Sequence, residues 1–169
     1  MSEFRSISLF VVFMSIMFTG CSMSPPKYTP PTDKPLVRVD FSRLNGSGDY
    51  YIHTYENGDG CRDYGFLFAL TEKHPADSAM LAANEEVALS FGYLVNKVGL
   101  HVVAHPIIKF KTVEKHRYKV NLETGEKVIR WQVLESNGKG YIPINTTKYK
   151  RTVPMGNAGP FCKGNIVKK

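Results

Sequence analysis

Apolar and polar side chains alternate with a period of two through the middle of this 169-residue chain. The alternation is clearest in five apolar residues at every second position: Val87, Leu89, Phe91, Tyr93 and Val95. Successive side chains of a β-strand point to opposite faces, whereas a helix repeats every 3.6 residues. The spacing therefore predicts strands with one buried face.

Further strands follow from the same alternation and from turns rich in Gly and Asn. They are predicted at residues 37–41, 50–55, 66–70, 87–95, 102–112, 118–122 and 128–135. The apolar run 66–70 predicts a central strand buried on both faces, a break is expected at Pro106, and residues 77–83 suggest a short helical turn. Nine Tyr and ten Phe also favour strands. The expected fold is an all-β, antiparallel sandwich of about seven strands at residues 36–135, with a loop-rich tail at 136–169.

Residues 1–20 have the layout of a secretory signal, with Arg5 before an uncharged run that is too short to span a bilayer. The run ends in Phe18-Thr19-Gly20-Cys21, which resembles the lipobox of bacterial lipoproteins. This resemblance implies that residues 1–20 are removed and that Cys21 becomes the acylated first residue. Ser22 stands where Asp would resemble the inner-membrane retention signal, so the resemblance implies the outer membrane, facing the periplasm.

Residues 21–35 are predicted to form a tether between the lipid and the domain. Five prolines hold this segment near polyproline geometry: Pro25, Pro26, Pro30, Pro31 and Pro35. At about 3.1 Å per residue, the segment would hold the domain roughly 40 Å from the membrane.

Cys61 and Cys162 remain once Cys21 is assigned to the lipid. An even pair in an oxidising compartment predicts a disulfide, which would fasten the tail to the turn at Cys61. In the chain-entropy model, a disulfide that closes a loop of about 100 residues raises the free energy of unfolding by at most roughly 4–5 kcal/mol. Two free thiols are the alternative.

The formal net charge of +7 favours anionic partners, namely lipid phosphates, glycan carboxylates or an acidic protein face. Nucleic acid is not expected in that compartment. Seven cations are candidates for a partner-binding patch: Lys109, Lys111, Arg117, Lys119, Lys148, Lys150 and Arg151. The alternative is that these residues only keep the outward faces of the strands soluble.

We expect no catalytic residues, no metal site and no cofactor site. His101 and His105 would lie about 13 Å apart on a strand, too far for one metal ion. The turn carrying Glu56, Asp59 and Asp63 matches no calcium loop, and the chain has no Gly-x-Ser-x-Gly elbow. The sequence therefore predicts a protein that is not an enzyme.

Glu114-Lys115-His116-Arg117-Tyr118 resembles the tyrosine corner of immunoglobulin-like sandwiches, with Tyr118 as the corner residue. More broadly, residues 52–135 resemble a group of small uncharacterised bacterial lipoproteins, including a Phe-x₇-Tyr spacing at Phe110 and Tyr118. The resemblance implies an immunoglobulin-like fold and a location, but no activity.

The expected function is that of a lipid-anchored, non-catalytic binding or assembly module of the envelope, with an envelope protein or an anionic lipid or glycan as partner. One alternative is an inhibitor that protects the envelope by inserting residues 138–159 into a lytic enzyme. A weaker one is a glycan hydrolase, which would need two carboxylates about 5–10 Å apart.

Overall fold

The period-two segments form two β-sheets in the computed structural model of the chain. The structure describes residues 27–55, 65–96, 100–102, 106–125, 128–151 and 166–168. Within these ranges it contains twelve strands and no helix. They are β1 (Leu36–Arg43), β2 (Asp49–Tyr55), β3 (Gly65–Leu70), β4 (Ala76–Ala82), β5 (Glu86–Asn96), β6 (Leu100–Val102), β7 (Pro106–Lys111), β8 (Arg117–Thr124), β9 (Ile129–Ser136), β10 (Ile142–Pro143), β11 (Thr147–Arg151) and β12 (Ile166–Lys168).

One sheet has five strands in the order β10-β9-β8-β1-β4. The other has seven, in the order β12-β11-β7-β5-β2-β3, with β6 also paired to β5. The sheets meet face to face, and Phe41 of β1 contacts Phe68 of β3 edge-on with ring centroids 5.2 Å apart. The prediction of an all-β, sandwich-like fold is therefore confirmed.

Both sheets contribute alternate residues to one apolar core. The five-stranded sheet supplies Val37, Val39, Phe41, Leu81, Tyr118, Val120, Leu122, Ile129 and Val133. The seven-stranded sheet supplies Tyr50, Ile52, Leu70, Val87, Leu89, Phe91, Tyr93, Ile108 and Phe110. The inward set of β5 is the one that the sequence alternation indicated.

Among the described strands, the predicted antiparallel arrangement has one exception, because β1 runs parallel to β8 while pairing antiparallel with β4. The count of about seven strands is too low. The predicted strand 102–112 is interrupted before Pro106, as expected. β6 and β7 are separate strands that both pair with β5, and Pro106 begins β7. Residues 136–169, expected to be loop-rich, contain β10, β11 and β12, which extend both sheets. These strands of two to five residues are too short to show the alternation that would reveal them.

Two local expectations are also corrected. The run at β3 is an edge strand beside β2, and most of its side chains are only partly buried. Residues 76–82 form β4 in place of a helical turn, because pairing with β1 along seven residues satisfies their backbone. Tertiary pairing overrides the weak local preference of these small side chains.

Residues 27–35, called the strap below, pack on the domain. The Tyr28 amide donates to the Phe66 carbonyl at 2.9 Å, and the Tyr28 side chain contacts the core. Near the other end of the strap, the Ala83 amide donates to the Pro35 carbonyl at 2.8 Å, and Lys34 pairs with Glu85 at 2.7 Å. A cavity of about 200 Å³ lies between the strap and the adjoining ends of β2, β4 and β5. The second half of the predicted tether thus belongs to the folded unit.

Gly65 permits the close approach of the strap to β3. A Cβ at this position would lie 2.8 Å from the Tyr28 Cβ and 2.9 Å from its Cα. We expect Gly65→Ala to displace the strap and to lower the free energy of unfolding by about 1–3 kcal/mol, the usual cost of overpacking. Urea unfolding and hydrogen exchange at the Tyr28 amide measure the two effects.

Gly125→Ala is the matched control, because a Cβ there would make contacts of 3.4 Å or more. A Gly65→Ala protein with unchanged stability and unchanged exchange at Tyr28 would contradict this account of the strap.

Candidate interaction surface

The structure distributes the seven predicted basic residues over both sheets. Lys109 and Lys111 lie on β7, and Lys148, Lys150 and Arg151 lie on β11, all in the seven-stranded sheet. Arg117 and Lys119 lie on β8, in the opposing five-stranded sheet. The side chains of Lys150 and Arg151 are outside the described part of the structure. The seven residues do not share one face, because the sheets face in opposite directions.

Two of these cations have structural contacts. The Lys109 Nζ lies 3.2 Å from Glu86 Oε1 and 4.8 Å from the centre of the Tyr149 ring, with only 12% of its side chain exposed. The Lys148 Nζ lies 4.6 Å from the centre of the Trp131 ring. Both lysines lie over aromatic rings at distances typical of cation–π contacts.

Arg117 and Lys119 lie beside a third cation that the sequence analysis did not include. Arg38 on β1 is the Cα partner of Arg117, and Asp40 is the partner of Lys119. The Arg38 Nε donates to Asp40 Oδ1 at 2.7 Å, and 60% of the Arg38 side chain is exposed. Three cations and one carboxylate therefore occupy neighbouring positions on β1 and β8, and two arginines are direct cross-strand partners. Such like-charged neighbours oppose folding.

An exposed apolar side chain borders these charges. Met80 on β4 is the Cα partner of Arg38 on its other side and is 40% exposed. We call this surface the Arg38–Arg117 face, and it consists of Arg38, Asp40, Met80, Arg117 and Lys119. Guanidinium groups bind carboxylates and phosphates through paired hydrogen bonds, so this face is suited to an anionic partner.

Hydrogen bonds on the inner side of the sheet hold the start of β8 in place. The Val113 amide donates to the Tyr118 hydroxyl at 2.8 Å, and that hydroxyl donates to Glu135 Oε1 at 2.5 Å. His116 Nδ1 lies 2.9 Å from the same carboxylate oxygen. These contacts join the turn before β8 to β9 and thereby position Arg117.

The Glu135 carboxylate is the acceptor shared by this cluster. Burial raises its pKa, but the hydrogen bonds from Tyr118 and His116 outweigh burial and hold the pKa below the ordinary value. Burial and the bond to Glu135 together raise the pKa of Tyr118 far above that of a free phenol. Glu135 is thus charged and Tyr118 neutral at neutral pH.

The remaining sequence candidates do not assemble into a site in the described ranges. The described ranges do not include Cys21, Cys61, Cys162, His105 or the acidic turn at 56–63. The backbone of His101 belongs to β6, whereas its side chain is not described. Among the residues that are described, no three His, Cys, Asp or Glu side chains are grouped as a metal site requires. Nor does that part of the chain contain a helix long and apolar enough to cross a membrane.

Comparison with known proteins adds no family assignment: no family model and no curated protein sequence matches the chain.

Glu135 gives the folded state a pH dependence. Its folded pKa is below the unfolded value of about 4.3, so its stabilising contribution is complete above that pH and is lost as the pH falls through the folded pKa. We expect Glu135→Gln to cost about 1–3 kcal/mol at pH 7, as loss of hydrogen bonds to a charge does. The difference from wild type in urea unfolding should shrink as the pH falls below about 4.3.

Glu114→Gln is the control, since Glu114 is exposed on the same turn. Its difference from wild type should stay near zero at every pH. A Glu135→Gln penalty that does not decline in acid would refute the assigned role of the carboxylate.

The two adjacent arginines give a second prediction. We expect Arg117→Gln to raise the free energy of unfolding by about 0.2–1 kcal/mol at low salt, because it removes a like-charged cross-strand pair. Salt should abolish the gain, since exposed charges are screened. Lys119→Gln is the control: Lys119 has Asp40 as its partner and should yield no gain. Equal effects of both substitutions would contradict the proposed repulsion.

Proposed function

We propose that the protein is a non-catalytic binding or assembly module, attached by lipid at Cys21 to the bacterial outer membrane and facing the periplasm. Its domain would be an immunoglobulin-like sandwich that presents the Arg38–Arg117 face to an anionic partner, with an acidic envelope protein as the first candidate. The observation that carries this proposal is the pairing of Arg38 with Arg117, an arrangement that opposes folding but suits an anion.

The immunoglobulin-like assignment is supported by the bond between the Tyr118 hydroxyl and the backbone at Val113, five residues upstream. A tyrosine corner has this geometry. The parallel position of β1 beside β8 and the additional strands after β9 differ from the simple antiparallel arrangement expected from sequence. A disulfide between Cys61 and Cys162 is part of the proposal and is tested by mass spectrometry of the unreduced protein.

The strap limits how far an anchored domain could reach. Only residues 22–26 separate Cys21 from Lys27, which forms a bridge with Phe66 of β3. The six steps from Cys21 to Lys27 extend at most about 22 Å, so the docked domain would stay close to the lipid surface. A partner in the membrane, or bound to it, is therefore favoured over one deep in the periplasm.

Crosslinking in native envelopes tests the proposal. We expect the acylated wild-type protein to capture a stoichiometric partner, and both Cys21→Ser and Arg38→Glu/Arg117→Glu to lose it. Lys73→Glu/Lys111→Glu is the matched control: it makes the same change in charge at exposed residues away from the Arg38–Arg117 face. This control should retain the partner.

Several outcomes would count against the proposal. Capture by the Arg38→Glu/Arg117→Glu protein at the wild-type level would exclude this face as the binding surface. Recovery of lipid or glycan alone would replace the protein partner by an anionic surface. Hydrolysis of purified peptidoglycan by the protein would refute the non-catalytic role.

Inhibition of an envelope-lytic enzyme is the second candidate. Part of the candidate segment, residues 138–151, is held by pairing of β10 with β9 and of β11 with β7. Tyr141 and Ile142 are nevertheless 44% and 64% exposed. A preorganised segment with an exposed apolar tip suits insertion into an active site. Inhibition of purified lytic enzymes that is lost on Ile142→Asp would favour this role.

A further inference from the structure

The strands that end the two sheets, and the three-residue β6 beside β5, differ in how far they could accept another strand. β10 is two residues long and contains Pro143, and β12 is three residues long. β3 has a register shift against β2 and a bridge to Lys27 of the strap. β4 pairs with β1 along seven residues in continuous register. Short strands, prolines and irregularities discourage pairing at an edge, and β4 contains none of these within its span.

The hydrogen bonds of β4 define which of its backbone groups are available. The Ala83 amide donates to Pro35, and the Arg43 amide donates to Pro75, each at 2.8 Å. Bonded and non-bonded positions alternate in an antiparallel pair, so residues 77, 79 and 81 bond to β1. The amides and carbonyls of residues 76, 78, 80 and 82 consequently point away from β1, towards the free edge.

Two of these outward groups already have partners. The Ser78 amide donates to Asp77 Oδ1 at 2.7 Å, and the Ala82 carbonyl accepts from Thr112 Oγ1 at 2.8 Å. Within the described part of the chain, both backbone groups of Met80 remain open. Its side chain is 40% exposed, so the described segments do not bury this part of β4.

We propose that β4 is a docking edge for an extended acidic segment of a partner protein, which would add a sixth strand to the five-stranded sheet. Main-chain hydrogen bonds to the Met80 amide and carbonyl would hold the segment, as in other cases of strand addition. The inference rests on the proposed binding function and specifies the kind of partner.

Charge complementarity determines the choice of an acidic segment. Strands are spaced about 4.8 Å apart, so a residue opposite Met80 would lie about 10 Å from the Arg38 Cα. The Arg38 side chain, which is 60% exposed, and a Glu side chain together span this distance. Arg117 lies one strand further on. A Glu on the outward face of the added strand would therefore reach Arg38, and Arg117 would attract it from further away, whereas a Lys would be repelled.

Synthetic peptides test the edge directly. The probe is a blocked nine-residue peptide in which Glu alternates with Val or Thr, and the comparison peptide has Lys in place of Glu. We expect the full-length wild-type protein to bind the Glu peptide at least tenfold more tightly, by fluorescence anisotropy. Arg38→Glu should remove this preference.

Met80→Pro removes the outward amide without breaking a bond to β1, so the variant should fold and should bind the Glu peptide at least tenfold more weakly. Met80→Thr is the control, because it changes the side chain but keeps the amide. Circular dichroism verifies that both variants fold.

Peptides methylated on alternate amide nitrogens provide a test that needs no protein variant. Methylation of the amides that face β4 should abolish binding, and methylation of the other set should leave it within about twofold. Equal loss with both sets, or no loss with either, would overturn the proposal. So would wild-type affinity of a folded Met80→Pro protein.

The envelope crosslinking separates this inference from the function on which it rests. Absence of any partner from the wild-type sample would refute the binding function itself. Capture of the same partner by Met80→Pro at the wild-type level would refute only the role of the β4 edge.

Discussion

The parallel pairing of β1 with β8 is the contact on which the rest of the five-stranded sheet depends. It places β1 between β8 and β4, so that Val39 and Phe41 are fully buried. It also leaves β4 at the edge of the sheet and brings Arg38 beside Arg117. The core, the open edge and the charged face are therefore consequences of a single strand pairing between segments almost 80 residues apart.

Local polar contacts stabilise this arrangement from the opposite side of the sheet. Tyr118 and Glu135 connect the turn before β8 to β9 through short hydrogen bonds in a partly buried setting. Such bonds are strongest where one partner is charged and water is scarce, and they are costly to break singly. Arg117 and Lys119 alternate along β8 with the inward-facing Tyr118 and therefore point outward. Packing on one face thus determines the geometry of charge on the other.

Strand pairing leaves the edges of the two sheets unequal. β3, β10 and β12 are short, irregular or partly covered, whereas β4 is long and regular. Asp77 satisfies one outward donor of β4 by accepting a hydrogen bond from the Ser78 amide, and the Met80 amide is not its partner. An open edge is a hazard for aggregation unless it has a partner, which is the physical reason to connect β4 with binding.

The alternation of side chains made the strands and much of the core predictable from the sequence. The inward set of β5 and the inward residues Tyr118, Val120 and Leu122 of β8 were visible because a period of two is a local property. The short strands β10, β11 and β12 were not, since two to five residues carry too little periodicity. β4 was missed for a related reason: its small side chains have no strong preference of their own.

The candidate surface was predictable only in part. Arg117 and Lys119 were identified as outward cations on one strand, but Lys109 and Lys148 proved to contact aromatic rings. Arg38 and Met80 escaped notice because their importance comes from which strands lie next to them. Pairing between distant segments depends on the whole core, and no local pattern in the sequence reveals it.

By itself, the sequence determined the fold class, because alternating apolar residues and Gly-rich turns act over a few neighbouring positions. It also determined the excess of positive charge. The tertiary structure alone decided the parallel pairing of β1 with β8, the docking of the strap and the exposure of the β4 edge. The reason is physical: strand order and register are chosen by the burial of side chains from distant segments together, and no local pattern encodes that choice.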